Sequence, residues 1–137
     1  MSTDATSFDS LDALQDLEIY AKTDAMDAIE KWLQSHFEST QLQKSGNRTR
    51  TYQVAWQGQP LEVFVCRNAG HTGFTSVSFN RKNIPWTNDV ECARAAFQAL
   101  GVTIRCSESA WQEGDDPDQW YQIATNGESV IHWPNME

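Results

Sequence analysis

Pro85-Trp86-Thr87-Asn88-Asp89-Val90-Glu91-Cys92-Ala93-Arg94-Ala95-Ala96-Phe97-Gln98-Ala99-Leu100-Gly101 is the stretch that decides the fold class. It spells a helix with both ends marked. Asn88 is a favoured N-cap, and Glu91 three residues on completes a capping box. Gly101 stands where a left-handed C-terminal cap is wanted. Val90, Ala93, Phe97 and Leu100 recur at helical spacing, and alanines at 93, 95, 96 and 99 let a sheet approach closely. Strand-like segments flank it on both sides, so this is the helix that covers a sheet.

Upstream, Phe74 to Asn80 alternates, with Thr75, Val77 and Phe79 on one side and serines on the other. Asn68 to Gly73 is a turn. Leu61 to Cys66 is nearly all apolar, which predicts a central strand covered on both faces. Gln57-Gly58-Gln59-Pro60 spells a hairpin turn, and Arg48 to Trp56 before it alternates with Tyr52, Val54 and Trp56 on one face. Ser39 to Asn47 reads as a polar connector. Met26, Ile29, Leu33 and Phe37, with Trp32 beside them, form the apolar stripe of a helix that Thr23 can cap; Asp24, Asp27, Glu30 and Lys31 occupy its outer face. Phe8, Leu11, Leu14 and Leu17 carry the helical reading back over Phe8 to Ala21, as one long helix or two. Residues 1–7 are expected to be disordered.

Downstream, Val102, Ile104 and Cys106 alternate with Thr103 and Arg105. An acidic loop with Glu113, Asp115, Asp116 and Asp118 follows. Trp111 and Trp120 bracket it and are expected to pin its ends to the core. Trp120 to Ala124 and Glu128 to Trp133 close the chain as a hairpin around Thr125-Asn126-Gly127. The predicted architecture is therefore α+β: one domain over residues 8–137, in the order α-βββ-α-βββ. Its antiparallel sheet has about five to six strands, with the helices packed on one face. The second sheet face, partly apolar and carrying tryptophans, would suit a partner or a second copy of the chain.

The chain has 137 residues and a net charge of −9. Residues 1–40 carry −7, residues 41–105 carry +5 and residues 106–137 carry −7, so a basic middle lies between acidic flanks. Either the segments neutralise one another in the fold, or they make a dipolar surface. The three cysteines, an odd number without paired spacing, argue against a disulfide framework. With a polar, acidic N-terminus and no long apolar run, the expected compartment is the cytoplasm.

Chemistry-bearing motifs are scarce. Cys66, Cys92, Cys106, His71 and His132 show no zinc-module spacing, and the acidic loop lacks the EF-hand order, so neither a metal nor a cofactor is expected. The best local nucleophile–base pair, Cys66 with His71, supports only a minor enzymatic alternative. The leading expectation is a non-enzymatic protein that binds another protein, as adaptor, chaperone or inhibitor, with an inhibitor that mimics nucleic acid as one variant. Asp24, Asp27 and Glu30 on the outer helix face, with Asp115, Asp116 and Asp118 in the loop, would steer it to a basic partner. The alternative is nucleic-acid binding by the basic strand segment, through Arg48, Arg50, Arg67, Arg81 and Lys82, with Trp56 or Phe74 as a stacking platform.

The expected run of helix, three strands and the alanine-rich helix Glu91 to Leu100 is similar in topology to double-stranded-RNA-binding domains. Asn88, Asp89 and Glu91 stand where those domains carry phosphate-gripping lysines. In element order, size and acidity the chain also resembles type III secretion chaperones of the effector-binding kind. That resemblance implies a cytoplasmic homodimer holding extended segments of a secreted protein.

Overall fold

The sheet is built from strands whose alternate residues are buried against two helices. The structure, a computed structural model, describes residues 17–68, 73–80, 84–107 and 119–132. In chain order the elements are β1 (Leu17–Ala21), α1 (Met26–His36), β2 (Ser39–Ser45), β3 (Thr49–Trp56), β4 (Gln59–Arg67), β5 (Thr75–Phe79), α2 (Asp89–Leu100), β6 (Ile104–Ser107), β7 (Gln119–Ala124) and β8 (Gly127–His132). All eight strands join one antiparallel sheet in the order β2-β3-β4-β5-β1-β6-β7-β8.

The class is α+β as expected, but the strand number and order differ. Leu17 to Ala21 is not the end of a helix. It is a strand, with Leu17, Ile19 and Ala21 fully buried, set between β5 and β6. The remainder of the expected first helix, the residues 1–7 expected to be disordered and the acidic loop lie outside the described residues. Ser39 to Asn47 is not a connector either: Ser39–Ser45 forms edge strand β2, paired with β3 and interrupted by a bulge between Leu42 and Lys44. The order is β-α-ββββ-α-βββ, so four strands separate the helices where the likeness to double-stranded-RNA-binding domains needs three.

α2 has the expected ends. Asn88 Oδ1 accepts from the Glu91 N–H at 2.9 Å, and Gly101 closes the helix at φ 69°. Glu91 reaches back one residue further than a capping box requires, accepting from the N–H and hydroxyl of Thr87. Its buried seam is Cys92, Ala93 and Ala96, with Val90, Phe97 and Leu100 packed at the margins. The β3–β4 hairpin turns on Gln57 (φ 53°) and Gly58 (φ 78°), both left-handed, as a two-residue primed turn requires. Glu38 holds that turn, its carboxylate accepting from the Gln57 and Gly58 N–H groups at 2.7 and 3.1 Å.

Both helices share one core with the inner sheet face. At its centre Trp86, from the segment entering α2, meets the rings of Trp32, His36, Phe37 and Phe79 at centroid distances of 5.3–5.9 Å. The outer face has no helix among the described residues. β4 is therefore not covered on both faces as its composition suggested. Leu61, Val63 and Val65 are buried, while Glu62 and Phe64 are exposed. No described helix is long and apolar enough to cross a membrane.

Candidate interaction surface

The residues expected to act in two separate sites are partly tied to each other. Arg50 on β3 donates to Asp27 Oδ1 at 2.9 Å and Glu30 Oε1 at 3.3 Å on α1. Tyr52, two residues along the same strand face, donates its hydroxyl to Glu30 Oε1 at 2.8 Å. Hydrogen bonds to Tyr52 and Asp27 push the Arg50 guanidinium still further above its ordinary range, and burial raises the Tyr52 phenol. Asp27 and Glu30 thus staple α1 to the sheet. Asp27 still presents most of its carboxylate to solvent, at 86% side-chain exposure. Asp24 is exposed in the turn before α1. Asp115, Asp116 and Asp118 lie outside the described residues.

Arg94 on α2 makes the equivalent staple at the other flank. Its Nε and Nη2 each donate to Glu128 on β8 at 2.9 Å, and the Tyr121 hydroxyl donates to the same carboxylate at 2.6 Å. These bonds hold the Glu128 carboxyl down at about 2. The three ion pairs of Arg50 and Arg94 join the basic middle segment to both acidic flanks. Mutual neutralisation is therefore realised at these positions.

Arg48 and Arg67 are placed differently. Arg48 stands in the bend just before β3 and Arg67 at the end of β4, one residue beyond the last ladder pair, Thr49 with Cys66; there the Arg67 N–H donates to Arg48 O at 2.7 Å. Arg48 donates from Nε to Arg67 O and from Nη2 to Asn68 O; Arg67 donates from Nη2 to Asn47 O. Arg81, Lys82 and His71 lie outside the described residues. The expected stacking platforms are partly or wholly covered: Trp56 is half-buried on the helix side against Phe37, and Phe74 is buried beneath the Arg105 guanidinium at 4.8 Å.

The outer sheet face is the surface that sequence reasoning located without naming its residues. Strand alternation and register put Thr51, Glu62, Phe64, Ser78 and Glu18 there, and then Tyr20, Arg105, Trp120 and Gln122 beyond the centre. Ser78 donates to Glu18, Arg105 donates to Gln122, and Tyr20 meets Trp120 edge-on at 5.6 Å. Phe64 is 44% exposed, and it lines a shallow depression of about 280 Å³ with Thr51, Glu62, Ser78 and Asn80. The signal for this surface was Glu62: a carboxylate inside an otherwise apolar strand marks one face as solvated.

The thiols divide by burial. Cys66 is half-buried on the outer face, its Sγ 3.9 Å from its neighbour's carbonyl, Arg67 O. Cys92 and Cys106 are buried between α2 and the sheet; burial pushes the Cys92 thiol far up and the Cys106 thiol to about 12. Among the described residues no group of three or more His, Cys, Asp or Glu is placed to hold a metal ion. No protein-family model matches the chain, and neither a curated protein nor a solved structure matches it.

Proposed function

We infer that the chain acts by binding another protein across the outer face of its sheet. The observation that carries this reading is Phe64, a large apolar side chain left 44% exposed on a sheet face that no described helix covers. Aromatic side chains are enriched at the cores of protein–protein contacts, with polar groups around them at the rim. Thr51, Ser78 and Asn80 supply polar side chains around the ring, and the two carboxylates of Glu62 and Glu18 outnumber the one cation among the described residues, Lys44 opposite Thr51, on that part of the face. Asp24 and the exposed side of Asp27 add acidic charge on the helix side. A partner with a basic surface fits this distribution, and salt would slow its association.

The test is affinity capture of the tagged chain from its source lysate, with and without nuclease, comparing wild type with Phe64→Glu. A protein recovered stoichiometrically by wild type in the presence of nuclease, and lost with Phe64→Glu, supports the reading. Recovery that ignores Phe64→Glu, or that disappears with nuclease, overturns it.

A further inference from the structure

We propose that Arg48 and Arg67 form a site for a single phosphate group, apart from the outer sheet face. Two like charges directly opposite on antiparallel strands destabilise the pair unless something neutralises them. Here the backbone pairing at 2.7 Å sets the two residues side by side. The guanidinium groups are also fixed rather than splayed. Arg48 spans two carbonyls, Arg67 O at 3.1 Å and Asn68 O at 3.0 Å, while Arg67 reaches back to Asn47 O at 2.6 Å. Each arginine is thus anchored to the strand end or turn that carries the other.

The rest of the molecule sharpens the contrast. Arg50, two residues along β3, takes two carboxylates, and Arg94 takes a third in bidentate geometry. Arg48 and Arg67 have only carbonyl partners among the described residues, in a chain with 19 acidic and 10 basic side chains. Carbonyls hold the groups in place but leave their charge uncompensated. A guanidinium carries five N–H donors. Arg48 commits Nε and Nη2, and Arg67 commits Nη2, so the Nη1 groups of both and Nε of Arg67 remain. Planar, pre-positioned forks of this kind match the oxygens of a tetrahedral oxyanion, with little side-chain freedom left to lose on binding.

The test follows the arginine Nε–H resonances of the intact wild-type chain by NMR during titration with inorganic phosphate, against sodium chloride at equal ionic strength. Saturable shifts of Arg48 and Arg67 with phosphate, absent with chloride and absent at Arg50, are expected. Arg67→Gln should weaken phosphate binding about tenfold. Because wild type carries the primary result, a variant that failed to fold would not rescue the proposal. Shifts equal in chloride and phosphate, or no saturable shift, would overturn it. A single-stranded deoxyoligonucleotide is the second probe. If it moved these resonances while inorganic phosphate did not, a nucleic-acid track would replace the single-phosphate site.

Discussion

Two aromatic truncations on opposite faces of one sheet separate a covered face from an open one. Trp86 is 7% exposed and meets four rings on the helix side; Phe64 is 44% exposed on the other side. A tryptophan side chain buries about 200 Å². At ~25 cal/mol per Å² that is worth roughly 5 kcal/mol, an upper bound because the unfolded chain already hides part of it. The Trp86→Ala change also leaves a cavity among rings that cannot all collapse, so a loss of about 4 kcal/mol is expected. Phe64→Ala removes a smaller, half-wetted ring, and water fills the space at no cavity cost, so about 1 kcal/mol is expected. A chain of this length has a total stability of roughly 7–20 kcal/mol, so both variants remain folded. Urea unfolding followed by circular dichroism measures the difference. It should be made at pH 8, where His36 is neutral in both states because burial lowers its pKa from 6.5. With a slope of ~2 kcal/mol/M, the two midpoints should differ by about 1.5 M. Equal losses would show the outer face to be covered in solution and would remove the basis for a docking surface there. A loss below ~1 kcal/mol for Trp86→Ala would remove the segment before α2 from the core.

Asn88→Ala should cost about 1 kcal/mol in the same assay through loss of the helix cap, and an unchanged midpoint would contradict the capping geometry. Glu128 contributes stability that is present above its unfolded value of 4.5 and is lost as pH falls from there through about 2. Glu128→Gln should flatten the acid limb of stability in that window, and an unaltered limb would count against the Arg94 bond. One thiol, Cys66, should react quickly with a disulfide reagent in the native chain, and all three in denaturant. Rapid native reaction of two or more would show that α2 is not seated on the sheet.

Much of this fold is written in local signals. Both caps of α2, the Gln57-Gly58 turn, the alternation of β3, β5 and β6 and the closing hairpin each depend on a few adjacent residues. The polar edge strand is illegible for a physical reason. β2 lies at the sheet margin, nearly all its residues are exposed, and its largest apolar side chain, Leu42, is 50% exposed. No buried face imposes an alternation there, and the bulge and Lys44 are what an exposed edge carries to discourage further pairing. The acidic set was legible as charge but not as role. A helix face of Asp24, Asp27 and Glu30 looks the same in sequence whether it meets solvent or a strand arginine. Arg50, 20 residues beyond Glu30, decides which, and that distance is set by tertiary structure.

β1 is the harder case. Leu11, Leu14 and Leu17 keep a three-residue interval that suggests a helix, yet Leu17, Ile19 and Ala21 alternate with Glu18 and Tyr20. Five residues satisfy either period, and only the neighbours arbitrate. Those neighbours are remote: β5 pairs with β1 from Thr75–Phe79 and β6 from Ile104–Ser107. Among the described residues β1 is also the strand that joins the flank β2–β5 to the flank β6–β8. Taken as helix, it leaves two half-sheets without a seam, and with β2 also read as connector the expected count falls to five or six. Taken as strand, it makes the outer face continuous from Thr51 to Trp120, and that continuity turns scattered polar and aromatic side chains into one surface. A five-residue signal therefore governs both the architecture and the extent of the candidate interface, because a central strand takes its identity from partners on both sides.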